Sequence, residues 1–91
     1  MEEKFLSALE AARLEAEKLG VRIRPIKDMT AARRCLSSHR ESDGFWLLAD
    51  KGKLSLSLEA LAVKKQFTAL FDDSQANAAL ERLMAAGYRF R

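Results

Sequence analysis

The chain has 91 residues, 48% of them apolar and 32% charged, with a formal net charge of +3, four Gly, one Pro and one Cys. A chain of this length and balance folds as one domain, residues 1–91, and buries roughly 60 to 68% of its unfolded surface without covalent staples. The composition excludes a disulfide scaffold and a disordered tail.

No run approaches the roughly 20 apolar residues that span a bilayer. The opening stretch MEEKFLSALEAARLEAEKLG carries acids where a secretory signal carries bases, so a reducing, cytoplasmic setting without membrane contact is expected. Cys35 and His39 are the only Cys and His. They are too few for a zinc site, so no metal and no cofactor is expected.

Charge is segregated along the chain. Residues 20–40 hold six bases (Arg22, Arg24, Lys27, Arg33, Arg34, Arg40) against Asp28, a net +5, whereas residues 1–19 are net −2 and residues 41–91 balance seven acids with seven bases. A local excess of this kind marks an anion-binding surface or a strip neutralised within the fold.

In chain order, the spacing of Phe5, Leu9, Ala12, Ala16 and Leu19 predicts a helix over residues 2–19, stopped by Gly20. Glu3, Glu10 and Glu17 form its acidic stripe, Arg13 pairs with Glu10 and Glu17, and Leu14 faces outward. Residues 21–26 alternate as a half-buried strand with Val21 and Ile23 inward, and Pro25 ends the strand or places it at an edge. Asp28 or Thr30 caps a helix over about residues 30–39, with Met29, Ala32, Cys35 and Leu36 inward and Arg33, Ser37 and Arg40 outward.

The apolar run FWLLA, residues 45–49, reads as a central strand covered on both faces. A turn at residues 50–53 and the alternation LSLSL make it one arm of a hairpin. A helical pair follows, broken near Lys64 and Lys65. Its second helix is capped by Asp72, Asp73 or Ser74, faces inward with Ala76, Ala79, Leu80, Leu83 and Met84, and ends at Gly87. Residues 88–91, Tyr-Arg-Phe-Arg, repeat the alternation of the first strand.

After the first helix this order is βαββαβ, so the expected fold is α+β: an N-terminal helix followed by a ferredoxin-like split βαβ sandwich with a four-stranded antiparallel sheet. In that topology the first and last strands are neighbours. Arg22, Arg24, Arg89 and Arg91 would then share one sheet face, offset either by the acidic stripe of the first helix or by an external polyanion. The alternative architecture is a winged helix-turn-helix. Its recognition helix would present Gln75, Asn77, Ala78, Glu81, Arg82 and Ala85, a weak DNA-reading face.

No catalytic motif appears: there is no Gly-rich phosphate loop, repeated carboxylate pair, His cluster or nucleophile elbow. Cys35 and His39, four apart on one helix, read as a buried small thiol beside a boundary His rather than a nucleophile and its base. The expected function is a small non-catalytic binding or regulatory module. Its contact surface is Arg22, Arg24, Arg33, Arg34, Arg40, Arg89 and Arg91, and its partner is nucleic acid or an acidic protein. The third strand presents Ser55 and Ser57 in place of stacking aromatics, which counts against RNA. The alternative function is a protein-protein adaptor or homodimer joined through a sheet edge, its arginines neutralised internally and with no nucleic-acid binding. Leu14 and Trp46 would anchor such a contact unless Trp46 belongs to the core.

Overall fold

The structure, a computed structural model, describes residues 1–88. They form five α-helices, α1 (Glu2–Lys18), α2 (Met29–Ser37), α3 (Phe45–Asp50), α4 (Leu58–Ala62) and α5 (Asp73–Ala85), with 3-10 turns at Leu54–Leu56 and Thr68–Leu70. Among the described residues there is no β-strand. The ferredoxin-like sandwich is therefore overturned, and so is the winged helix-turn-helix, which needs a β-wing. None of these helices is long and apolar enough to cross a membrane.

The α1 prediction holds along its length. Phe5, Leu9, Ala12 and Ala16 are buried, and the helix ends in a Schellman motif: Gly20 N–H donates to the Glu17 carbonyl at 3.0 Å and Val21 N–H to the Ala16 carbonyl at 2.9 Å. Gly20 supplies the required positive φ of 85°. Leu19, expected inward, is partly exposed. Asp28 caps α2 by accepting from Ala31 N–H at 2.8 Å. The chain then leaves the helix at Ser38, so Arg40 lies beyond it.

Residues 21–27, whose alternation predicts a strand, are neither helix nor strand and pair with no neighbouring strand. Val21 is fully buried and Ile23 and Ile26 are half-buried, while Arg22, Arg24 and Lys27 face solvent. Period-two patterning describes one face packed and one face wet; it does not require a ladder. Pro25 has no N–H to give to one.

FWLLA is helix α3. A short apolar run has no period of its own, so strand and helix share the same signature. Phe45 and Leu48, three apart, enter the core, whereas Trp46 is 51% and Leu47 53% exposed. The turn at residues 50–53 is a second Schellman stop, with Gly52 N–H on the Ala49 carbonyl at 3.1 Å and Lys53 N–H on the Leu48 carbonyl at 2.8 Å. The third expected strand is the 3-10 turn Leu54–Leu56, after which Ser57 caps α4 through a bond from Ala60 N–H at 3.1 Å. Leu54 and Leu58 still point inward.

α5 begins with a full capping box. The Asp72 carboxylate accepts from Gln75 N–H at 2.7 Å, and the Gln75 side-chain oxygen accepts from Asp72 N–H at 3.1 Å. Ala79 and Leu83 are buried, but Met84, expected inward, is 69% exposed. At the other end Gly87 N–H reaches the Met84 carbonyl at 3.0 Å and Tyr88 N–H the Leu83 carbonyl at 2.9 Å.

Every residue of α4 is buried. α1 and α5 pack on it, and α2 packs on α5. Phe5 centres one end of the interior, edge-on to Phe67 at 5.1 Å and to Phe71 at 5.2 Å between ring centroids. Phe45, Leu48, Leu83 and Val21 fill the other. The predicted final strand at residues 88–91 lies, apart from Tyr88, outside the described residues.

Candidate functional site

Burying α4 on all sides buries Glu59 with it. A carboxylate with no exposure needs a partner, and it has three donors. Arg82 Nη1 lies 3.1 Å from Oε2, Ser42 N–H donates to Oε2 at 2.9 Å, and Ser42 Oγ–H donates to Oε1 at 2.6 Å.

Arg82 spends its remaining donors on the end of α2. Nη1 also reaches the Cys35 carbonyl at 3.4 Å, while Nη2 donates to the Leu36 carbonyl at 3.2 Å and to the Ser38 carbonyl. The last carbonyls of a helix have no partner within it, and a cation there also suits the helix dipole. Arg82, expected on the outward face of α5, is thus a C-terminal clamp for α2. Together with Glu59 it pins the loop of residues 38–44 from both ends.

That loop and residues 23–26 line one cleft. Asp43 Oδ2 accepts from Arg24 N–H at 3.3 Å and from Arg24 Nε at 3.1 Å. At the loop's end Gly44 packs beneath the segment: a Cβ on it would stand 2.6 Å from Val21 Cγ1 and 3.2 Å from Ile23 Cγ1. The cleft has a volume of about 370 Å³. Its floor is apolar (Leu9, Ile23, Ile26, Leu56, Leu58), and its rim carries Glu10, Arg13, Arg24, Arg40, Glu41 and Asp43. A second, more open depression of about 600 Å³ adjoins it, sharing Arg13, Ile23, Arg24, Pro25 and Asp43 and lined further by Glu17, Arg22 and Gly44.

The basic residues of the sequence do not form one array. Arg33 is absorbed by the fold, its Nε on the Leu70 carbonyl at 3.0 Å and Nη2 on Glu2 at 3.3 Å. Arg24 is bonded to Asp43, although its side chain is 91% exposed. Arg22, Arg34 and Arg40 are exposed and make no ion pair among the described residues. Arg89 and Arg91 lie outside the described residues. The shared sheet face is lost with the sheet, and with it the reason for α1 to neutralise one.

The acidic stripe of α1 instead serves Arg13, as its spacing predicts. Arg13 Nε and Nη2 donate to Glu10 at 2.8 and 2.6 Å, and Nη1 reaches Glu17 at 3.4 Å. The hydrogen bond from Arg13 holds the Glu10 carboxyl below its ordinary range.

Burial pushes the Cys35 thiol above its ordinary value, and the nearby carboxylates of Asp43 and Glu59 push it further. That environment suppresses a thiolate. His39 falls beyond the end of α2, exposed, so the two do not share a helix face. Among the described residues no cluster of three His, Cys, Asp or Glu is arranged to hold a metal ion.

Sequence reasoning missed Glu59, Arg82, Ser42 and Asp43. The first had a signal: Glu59 is the lone charge between residues 54 and 63, LSLSLEALAV, and so had to be either an outward residue or a paired one. Comparison with protein-family models, with curated proteins and with solved structures finds no match.

Proposed function

We propose that this chain is a non-catalytic binding module whose working surface is the cleft between residues 21–27 and the loop of residues 38–44, and whose partner is an acidic, partly apolar segment of another protein. The observation that carries the reading is the cleft's mixed character. Apolar side chains form its floor, and its rim carries Arg40, which makes no ion pair among the described residues, beside the exposed Glu41. A volume of about 370 Å³ falls at the small end of ligand pockets, which span roughly 300 to 1,000 Å³.

The same lining favours protein over nucleic acid. The floor is apolar, and no aromatic ring lines the cleft for a base to stack on. A peptide can place a carboxylate on an arginine and an aliphatic side chain on the floor together.

The test is fluorescence anisotropy with a labelled eight-residue peptide of alternating Glu and Val, beside a Lys and Val control and a single-stranded oligonucleotide. Saturable binding to the acidic peptide alone, weakened several-fold by Arg40→Ala, is the expected result. Preference for the oligonucleotide, with a log-log salt slope of about −3 for four neutralised cations, would replace the protein partner by nucleic acid. Binding to none of the probes at low salt would remove the reading.

A further inference from the structure

Half of the cleft's charged rim, Arg40, Glu41 and Asp43, stands on the loop of residues 38–44, and the other half, Glu10, Arg13 and Arg24, stands on α1 and residues 21–27. The shape of the cleft therefore depends on what fixes the loop. Its charged end has two ties. The Arg24–Asp43 pair is exposed, and exposed ion pairs contribute little. The second tie is buried. Ser42, which itself lines the cleft, donates its N–H to Glu59 Oε2 at 2.9 Å and its hydroxyl to Oε1 at 2.6 Å.

Hydrogen bonds to an ionised group are roughly twice as strong as neutral ones, and exclusion of water strengthens them further. Glu59 cannot follow the loop outward: it has no exposure, it sits on a helix buried on all sides, and Arg82 holds it at 3.1 Å. The same Arg82 donates to the Ser38 carbonyl at the loop's other end. Between these two anchors lie His39, Arg40 and Glu41, all exposed.

We infer that Ser42 is the positioning residue of the cleft: its two bonds to Glu59 fix the wall that carries Arg40, Glu41 and Asp43, and releasing that anchor weakens binding without unfolding the core. This deepens the proposed function and rests on it. It gives the buried Glu59–Arg82 pair a part in recognition as well as in stability. Anchoring and binding are then linked in both directions. If the anchored wall binds better, a bound peptide must hold the wall anchored.

The experiment compares wild type, Ser42→Ala and Asp72→Ala. Ser42 is half-buried and tolerates truncation, whereas a variant at Glu59 or Arg82 threatens the fold. Ser42→Ala removes the hydroxyl and keeps the N–H. Asp72→Ala weakens the cap of α5 and leaves the cleft lining as it is. Two quantities are read: amide hydrogen exchange at residue 42, scaled to its rate in an unstructured chain, and affinity for the labelled Glu and Val peptide.

In Ser42→Ala the amide should exchange about 10-fold faster and the peptide should bind about 2- to 5-fold more weakly, as the anchored fraction falls. In Asp72→Ala both should stay within about 1.5-fold of wild type, because a loop opens locally and does not draw on global stability. Saturating peptide should slow the wild-type amide several-fold.

Faster exchange in Ser42→Ala with unchanged affinity would reduce Ser42 to a structural residue and overturn the inference. Equal affinity losses in Ser42→Ala and Asp72→Ala would do the same, by tracing the loss to stability. So would an amide that exchanges alike in free and peptide-saturated wild type. Each of these leaves the binding module standing; absence of peptide binding by wild type would remove both.

Discussion

Arg82 on α5 and Glu59 on α4 form an ion pair of 3.1 Å in which the carboxylate is wholly inaccessible and the guanidinium side chain only 9% exposed. Desolvating two charges is expensive, and here the expense is offset because every oxygen of Glu59 and both terminal nitrogens of Arg82 have further partners in Ser42 and the end of α2.

Removing one partner should therefore be severe. Glu59→Gln leaves a buried cation without its counter-charge and is expected to lower unfolding stability by about 3 to 5 kcal/mol, a large part of the 5 to 15 typical of a domain. Urea denaturation measures it. In a cycle with Arg82→Met the double variant should be less destabilised than the two losses added, by about 0.5 to 3 kcal/mol; strict additivity would show that the two side chains act separately.

Gly44 and Gly52 offer a matched comparison. Both have positive φ, 74° and 68°, but a Cβ at Gly44 meets Val21 at 2.6 Å whereas one at Gly52 meets nothing within 4 Å. Gly52→Ala should lose about 1 kcal/mol through backbone strain alone, and Gly44→Ala about 1 to 3 kcal/mol more as the clash is added. Melting temperatures of the two variants should separate by several degrees; equal values would mean that Val21 and Ile23 yield freely.

The capping box of α5 should be readable in the same way. Asp72→Ala removes the acceptor for Gln75 N–H and should destabilise by about 0.5 to 2 kcal/mol. Gln75→Ala should do comparable harm, because the Gln75 amide also donates to Ser37 Oγ at 3.1 Å and so ties α5 to α2. Thermal denaturation by circular dichroism decides both.

Cys35 makes a prediction about pH. Its thiol is held protonated beyond its ordinary value of 9.0 by burial first and by Asp43 and Glu59 next, so the unfolded chain releases this proton at lower pH than the folded one. The stabilisation from the neutral thiol is complete below that value. It declines as pH rises from there through the raised folded value. The stability difference between wild type and Cys35→Ala should be flat below pH 9.0 and shrink above it. Near neutral pH the thiol should react with a disulfide probe more slowly than free cysteine; faster reaction would contradict the environment described.

Helix ends were the legible part of this sequence, because each is written in a few residues: Gly20 and Gly87 as left-handed stops, and caps narrowed to Asp28 or Thr30 and to Asp72, Asp73 or Ser74, of which the fold uses Asp28 and Asp72. Strands were misread for three separate reasons. FWLLA is too short to show a period, Gly52 serves a Schellman stop as well as a hairpin, and the Leu54, Leu56, Leu58 alternation is met by a 3-10 turn followed by a capped helix. The site was legible only in its charge excess. Which arginines remain unpaired depended on Glu2 and Asp43, 31 and 19 positions from the residues they bind, and no local pattern carries that.

A segment whose backbone pairs with no neighbouring strand is also a hazard, since a second copy could pair with it. Here that route is blocked by the segment's own sequence. Two copies would bring Arg22, Arg24 and Lys27 against the same three cations, and Pro25 would leave a gap in the ladder. The three cations therefore protect the protein from itself, and exchanging Arg22 and Lys27 for neutral residues should lower its solubility before it lowers its stability.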